Sequence, residues 1–137
     1  MRTKFLLIFV TLLFSISRSG AQQSDVIDVL AKYFSAADAS KISSMFSSTL
    51  ELDIISEEDL YSKAQAEQIL RDFFSKNKPV SVKIVHRLNS NPSFKLAVFA
   101  MGTSKEKFRV TISLNSHDDG FLIKQIRIEY DKQQQLQ

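Results

Sequence analysis

The hydrophobic period of this chain changes once, at Pro79, and that change limits the folds open to it. Before Pro79 the apolar residues recur three and four positions apart. Val26, Val29, Leu30, Tyr33 and Phe34 form one stripe, and Ala66, Ile69, Leu70, Phe73 and Phe74 form a second. After Pro79 the period falls to two, as in Phe108, Val110, Ile112 and Leu114 alternating with Lys107, Arg109, Thr111 and Ser113. Helices first and strands afterwards is the α+β pattern, with N-terminal helices packed on one face of a curved antiparallel sheet.

The element ends follow from local chemistry. Ser24 is placed to cap a helix over 25–37, with Asp25 and Asp28 in the first turn, where the helix dipole favours acids. A shorter helix over 40–46 would bury Ile42, Met45 and Phe46, and Leu50, Leu52 and Ile54 alternate as a short half-buried strand. Ser62 and Gln65 have capping-box spacing at the head of the second stripe, which Asn77 and Pro79 stop. Four strands then follow over 80–88, 94–101, 108–114 and 121–130. They are separated by turn residues, with Gly120 expected at positive φ in the last turn. The unbroken apolar run Leu96 to Met101 is expected in a central strand or one covered on both faces.

Residues 1–21 have a different character. Arg2 and Lys4 precede the apolar run Phe5 to Ile16, and Ser19 and Ala21 are small residues at the −3 and −1 positions of a cleavage site. This is the pattern of a secretory signal peptide, and the run is too short for a membrane anchor. Removing it leaves 116 of the 137 residues, read as a single domain over 22–131 with a frayed tail over 132–137. The segment also carries three of the 18 Lys and Arg and no acid, so 15 basic residues then face 15 acidic ones. The basic balance of the full chain is therefore no argument for binding nucleic acid or anionic lipid. Charge is nonetheless segregated: residues 22–72 hold four Lys/Arg against ten Asp/Glu, and residues 73–137 hold eleven against five. This implies either complementary solvated faces or a basic sheet surface that meets an acidic partner or a like molecule. The absence of cysteine rules out disulfides and thiolate chemistry.

The segment YSKAQAEQILRDFFSKNKP, followed by VKIVH, resembles a family of short exported bacterial proteins catalogued as a domain of unknown function. The resemblance runs from about Ser24 to Tyr130 and is sharpest over Tyr61 to Asn77 and the His86 strand. It implies a cone-shaped fold of the nuclear-transport-factor-two-like, or cystatin-like, kind and export in Gram-negative bacteria. It brings no catalytic residues to carry over.

Such cones can enclose a pocket between sheet and helix, where desolvation would tune a titratable group. His86 is the one titratable residue in the apolar row Val80, Val82, Ile84 and Leu88, which makes it the candidate general base. Tyr33 and Tyr61 could donate hydrogen bonds, and Asp53 or Asp59 could orient the imidazole. The competing reading is that His86 lies at the rim of the sheet and that both tyrosines are packing residues. Glu57, Glu58 and Asp59 lack the glycine and the alternating oxygen ligands of a calcium loop. His117, Asp118 and Asp119 read as a surface hairpin, and two isolated histidines do not make a zinc site. No GxSxG nucleophile elbow or Gly-rich phosphate loop is present, so neither metal nor cofactor is expected. Nucleic acid is equally unexpected, because alternation sends the neighbours Phe108 and Arg109 to opposite faces.

The expected function is a non-enzymatic binding or interaction module of the bacterial envelope. Its expected partner is a small ligand or an envelope protein, with a homodimer through the outer sheet face as one form. The alternative is a small-molecule isomerase, dehydratase or hydrolase with His86 as base. A third is an immunity or inhibitor protein that uses its charged surfaces.

Overall fold

The computed structural model describes residues 25–132. The expected signal peptide, the cap Ser24 and all of the expected tail except Lys132 lie outside the described residues. Nine elements follow one another: α1 (Val26–Ser35), α2 (Ala39–Ser43), β1 (Phe46–Ile54), β2 (Glu57–Ser62), α3 (Lys63–Lys76), β3 (Pro79–Leu88), β4 (Phe94–Thr103), β5 (Lys107–His117) and β6 (Gly120–Tyr130).

The N-cap of α1 is Asp25, whose carboxylate accepts from the Ile27 N–H at 3.0 Å. The α3 capping box forms as its spacing predicts: the Gln65 N–H donates to Ser62 Oγ, and the Ser62 N–H donates to Gln65 Oε1. The second helix is shorter than expected, because Met45 and Phe46 leave it and Phe46 opens β1. Phe46 is buried in either state, so burial alone could not separate helix from strand.

The six strands form one sheet in the order β2-β1-β6-β5-β4-β3. It is mixed rather than antiparallel, because β1 runs parallel to β6 while every other pair is antiparallel. The first described strand therefore lies beside the last. Glu57 to Ser62 form the edge strand β2, paired with β1 from Ile54↔Glu57 to Thr49↔Ser62. The tight turn between them is built from Ile55 (φ 52°) and Ser56 (φ 67°), both left-handed. In the β5–β6 turn the left-handed residue is Asp118 (φ 48°), and no glycine among the described residues has positive φ. Aspartate tolerates that region through local hydrogen bonding, so Gly120 is released to pair with His117.

One face of the sheet carries the core. Ala97, Phe99, Met101, Phe108, Val110, Ile112, Leu114, Ile126 and Ile128 are buried there beneath Leu30, Phe34, Ile42, Leu70, Phe73 and Phe74 of the helices. Phe34 meets Phe74 and Phe99 edge-on, both at 5.7 Å between centroids, and Phe73 meets Phe108 at 5.3 Å. These rings fill the space between helices and sheet, where a cone of this shape would enclose a pocket.

Candidate functional site

The row that places His86 beside Val82 and Ile84 does not survive in the structure. Ile84 lies opposite Phe99 and His86 opposite Val98, so Val85 is an extra residue with nothing across from it. A bulge of this kind reverses which face every later residue points to. Val82 and Ile84 pack against the core, whereas His86 joins the outer face and is exposed. Arg87 takes the inward position instead, opposite the fully buried Ala97, and reaches α1. Its Nη2 donates to Asp28 Oδ1 at 2.9 Å and its Nη1 to Asp25 Oδ2 at 3.3 Å. A second bulge at Val80 leaves that residue 70% exposed.

The other candidates are not brought to His86. Asp53 shares its cross-strand row, His86–Val98–Thr111–Arg127–Asp53. Four strand spacings of about 4.8 Å separate the two by roughly 19 Å. Asp53 instead accepts from Arg127 Nε at 3.1 Å. Asp59 is exposed and accepts from the Leu60 N–H. Tyr61 lies opposite the buried Leu50, and Tyr33 packs against the core with Lys41 Nζ 5.7 Å from its ring centroid. Among the described residues, no group of three His, Asp or Glu is arranged to hold a metal ion.

The outer sheet face carries most of the polar chemistry. On its β2–β1–β6 side, Gln125 Nε2 donates to Glu51 Oε1 at 2.8 Å. A hydrogen bond and the charge of Glu51, some desolvation and the charge of Asp53 push the Glu58 carboxyl above its ordinary range, with Arg127 opposing. On the β3–β4–β5 side lie Lys83, Lys107 and Arg109, where a shallow hollow of about 160 Å³ is lined by Ser81, Gly102 and Asp131 among others. A Cβ at Gly102 would stand 2.7 Å from Ser81 Oγ, so a larger residue there would need the Ser81 hydroxyl to turn away.

A larger cleft of about 340 Å³ opens where β1 separates from β6, lined by Ser47, Ser48, Asn115, Ser116, His117 and Lys124. Of these residues only His117 stands out in the sequence, and there as part of a surface hairpin. The signal was hidden because it lies in strand register, and register between distant strands is not written in local periodicity.

Helices on a curved mixed sheet define an α+β protein of the cystatin-like, nuclear-transport-factor-two-like class. The chain belongs to the family described as Domain of unknown function (DUF4783), whose model matches residues 27–129. A family member from Bacteroides uniformis superposes with a TM-score of 0.75 at 20% identity, covering 80% of this chain and 100% of that one. A second, from Bacteroides ovatus, gives 0.71 at 21% identity over 76% of this chain and 94% of that one. A domain of unknown function with a cystatin-like fold from Nostoc punctiforme gives 0.62 at 10% identity over 80% and 76%. No curated protein matches the sequence.

Proposed function

We propose that this protein is an exported, non-catalytic binding module of the bacterial cell envelope that works through its outer surface. The observation that carries this reading is the filled interior. Phe34, Phe73, Phe74, Phe99 and Phe108 occupy the space where a catalytic pocket would be, while the polar side chains line clefts outside. His86, exposed on the edge strand, faces neither Tyr33, Tyr61 nor Asp53. Native mass spectrometry of protein purified from its own host should show a retained small molecule or partner. Turnover of isomerase, dehydratase or hydrolase substrates that disappears in His86→Ala would overturn the non-catalytic reading. Export is tested separately by fractionation and N-terminal sequencing, which should place the mature start at Gln22.

Self-association is a second reading, favoured by the charge pattern of the outer face. Glu51, Asp53 and Glu58 lie toward one edge and Lys83, Lys107 and Arg109 toward the other. Two copies related by a two-fold axis across this face would set acid against base. Sedimentation should then show a dimer that weakens with salt, and a monomer at all salt concentrations removes this form of the proposal.

A further inference from the structure

The cleft between β1 and β6 is produced by two register irregularities that meet at one residue. On the β1 side, Phe46 pairs with Ile123 and Glu51 with Gln125, so five steps along β1 match two along β6. The segment Ser47 to Leu50 therefore arches away from its neighbour. On the β5 side, Leu114 pairs with Ile123 and Ser113 with Gln125, so one step along β5 matches two along β6. Lys124 is the surplus residue in that register. It lies opposite the arch of β1, and it has no pairing partner in either neighbouring strand. A bulge re-aims the side chain it carries, and this one places Lys124 among the residues that line the cleft.

The opposite wall holds Ser47, only 3% exposed, whose Oγ is buried without a hydrogen-bond partner among the described residues. Buried hydroxyls are almost always partnered, and leaving one unmatched is unfavourable, so this atom marks a place where an acceptor or donor is expected from outside the chain. Ser48, Ser116 and Asn115 add three more neutral groups that can donate. Lys124 makes no ion pair with any described carboxylate, whereas His117 Nε2 lies 3.4 Å from Asp118 Oδ2. The cleft thus presents one uncompensated positive charge surrounded by hydroxyl and amide donors. Its volume lies at the lower end of the range of about 300–1,000 Å³ typical of small-molecule sites.

We propose that this cleft binds a small monoanionic carboxylate carrying further hydroxyl or carbonyl oxygens, with Lys124 meeting the carboxylate and Ser47 donating to one of its oxygens. One ammonium matches one negative charge, whereas a phosphate dianion would leave a charge without a counterpart. This names the ligand class for the binding-module reading above and rests on it.

The test is a heteronuclear NMR titration of the whole folded chain with lactate, inorganic phosphate and glycerol as separate probes. Lactate is expected to saturate, with shifts confined to the amides of residues 47–48, 115–117 and 122–125. Lys124→Gln should weaken lactate about tenfold, and Ser47→Ala should weaken it by a smaller factor while keeping the fold. Lys63→Gln, on the exposed side of α3, should change nothing. Absence of saturable shifts, equal or tighter binding of phosphate, binding of glycerol as tight as lactate, or lactate binding untouched by Lys124→Gln would each overturn the assignment. A retained ligand that maps elsewhere on the protein would remove this cleft and leave the binding-module reading standing. No retained ligand or partner together with His86-dependent turnover would remove both.

Discussion

Arg87 of β3 clasps Asp28 of α1 through a 2.9 Å contact between Nη2 and Oδ1, joining residues 59 positions apart in the chain. Its Nη1 also reaches Asp25, which Asn89 holds from the other side at 2.8 Å. This cluster fastens the start of the first helix to the bulged end of an edge strand. Burial works to raise the Asp25 carboxyl, but hydrogen bonds from Ile27 and Asn89 and the charges of Lys95 and Arg87 outweigh it and hold it below the ordinary 3.8. A lowered carboxyl contributes stability that is present above its unfolded pKa and is lost as pH falls through its folded one. Resistance to urea should therefore fall from about pH 4 downward. Arg87→Met should lower stability by about 1 kcal/mol at neutral pH, since the pair is partly exposed, and should flatten that acid limb.

The bulge at Val85 holds one residue with nothing across from it, and deleting that residue tests whether the bulge itself is needed. Without Val85, Ile84 stays opposite Phe99 and continuous register leaves His86 outward opposite Val98 and Arg87 inward opposite Ala97. The variant should therefore keep the Arg87–Asp28 contact, lose less stability than Arg87→Met and leave hydrogen exchange in α1 unchanged, whereas a larger loss would show that the bulge itself is needed. Likewise, His86→Ala removes an exposed side chain and should change stability by no more than about 0.5 kcal/mol. A His86→Ala loss as large as that of Arg87→Met would show that the imidazole has partners beyond the exposed face.

Ile55 and Ser56 are left-handed residues of ordinary chirality in a two-residue hairpin turn. A β-branched residue there is an outlier, held because Ile55 packs on the core and donates its N–H to the Ile128 carbonyl at 2.9 Å. Ser56→Gly should relieve the second position and stabilise by about 1 kcal/mol, read as a higher denaturation midpoint. An unchanged or lower midpoint would mean the turn is not under backbone strain.

Glu58 carries the opposite sign from Asp25. Its folded pKa is raised, chiefly by Glu51, so its favourable contribution is present at low pH and lost as pH rises through the folded value. Above the ordinary carboxylate range the two glutamates repel. Glu58→Gln should raise the melting temperature at pH 7, and the gain should shrink toward pH 4. A gain equal at both pH values would point away from charge.

What the sequence made legible was whatever depends on neighbours in the chain. The stripe of α3, its capping box and the strand runs beyond Pro79 all follow from spacing of four residues or fewer. Strand β2 was hidden because EEDLYS is acidic and its turn, Ile55-Ser56, contains no glycine, asparagine or aspartate. The parallel pairing of β1 with β6 was hidden for a different reason: residues 74 apart in sequence meet there, as Glu51 does Gln125. The position of His86 failed on one extra residue, since period two holds only while a strand stays in register. The interior was half legible, because the phenylalanines could be assigned to a core but not to closing it completely.

The place of β1 has a consequence for how the chain is made. Because β1 docks on β6, the N-terminal helices and the β1–β2 hairpin can have no complete sheet to rest on until the final strand has emerged from the ribosome. Local structure can form early, but closure waits for residues 120–130. A chain built in this order remains threadable until β6 has emerged.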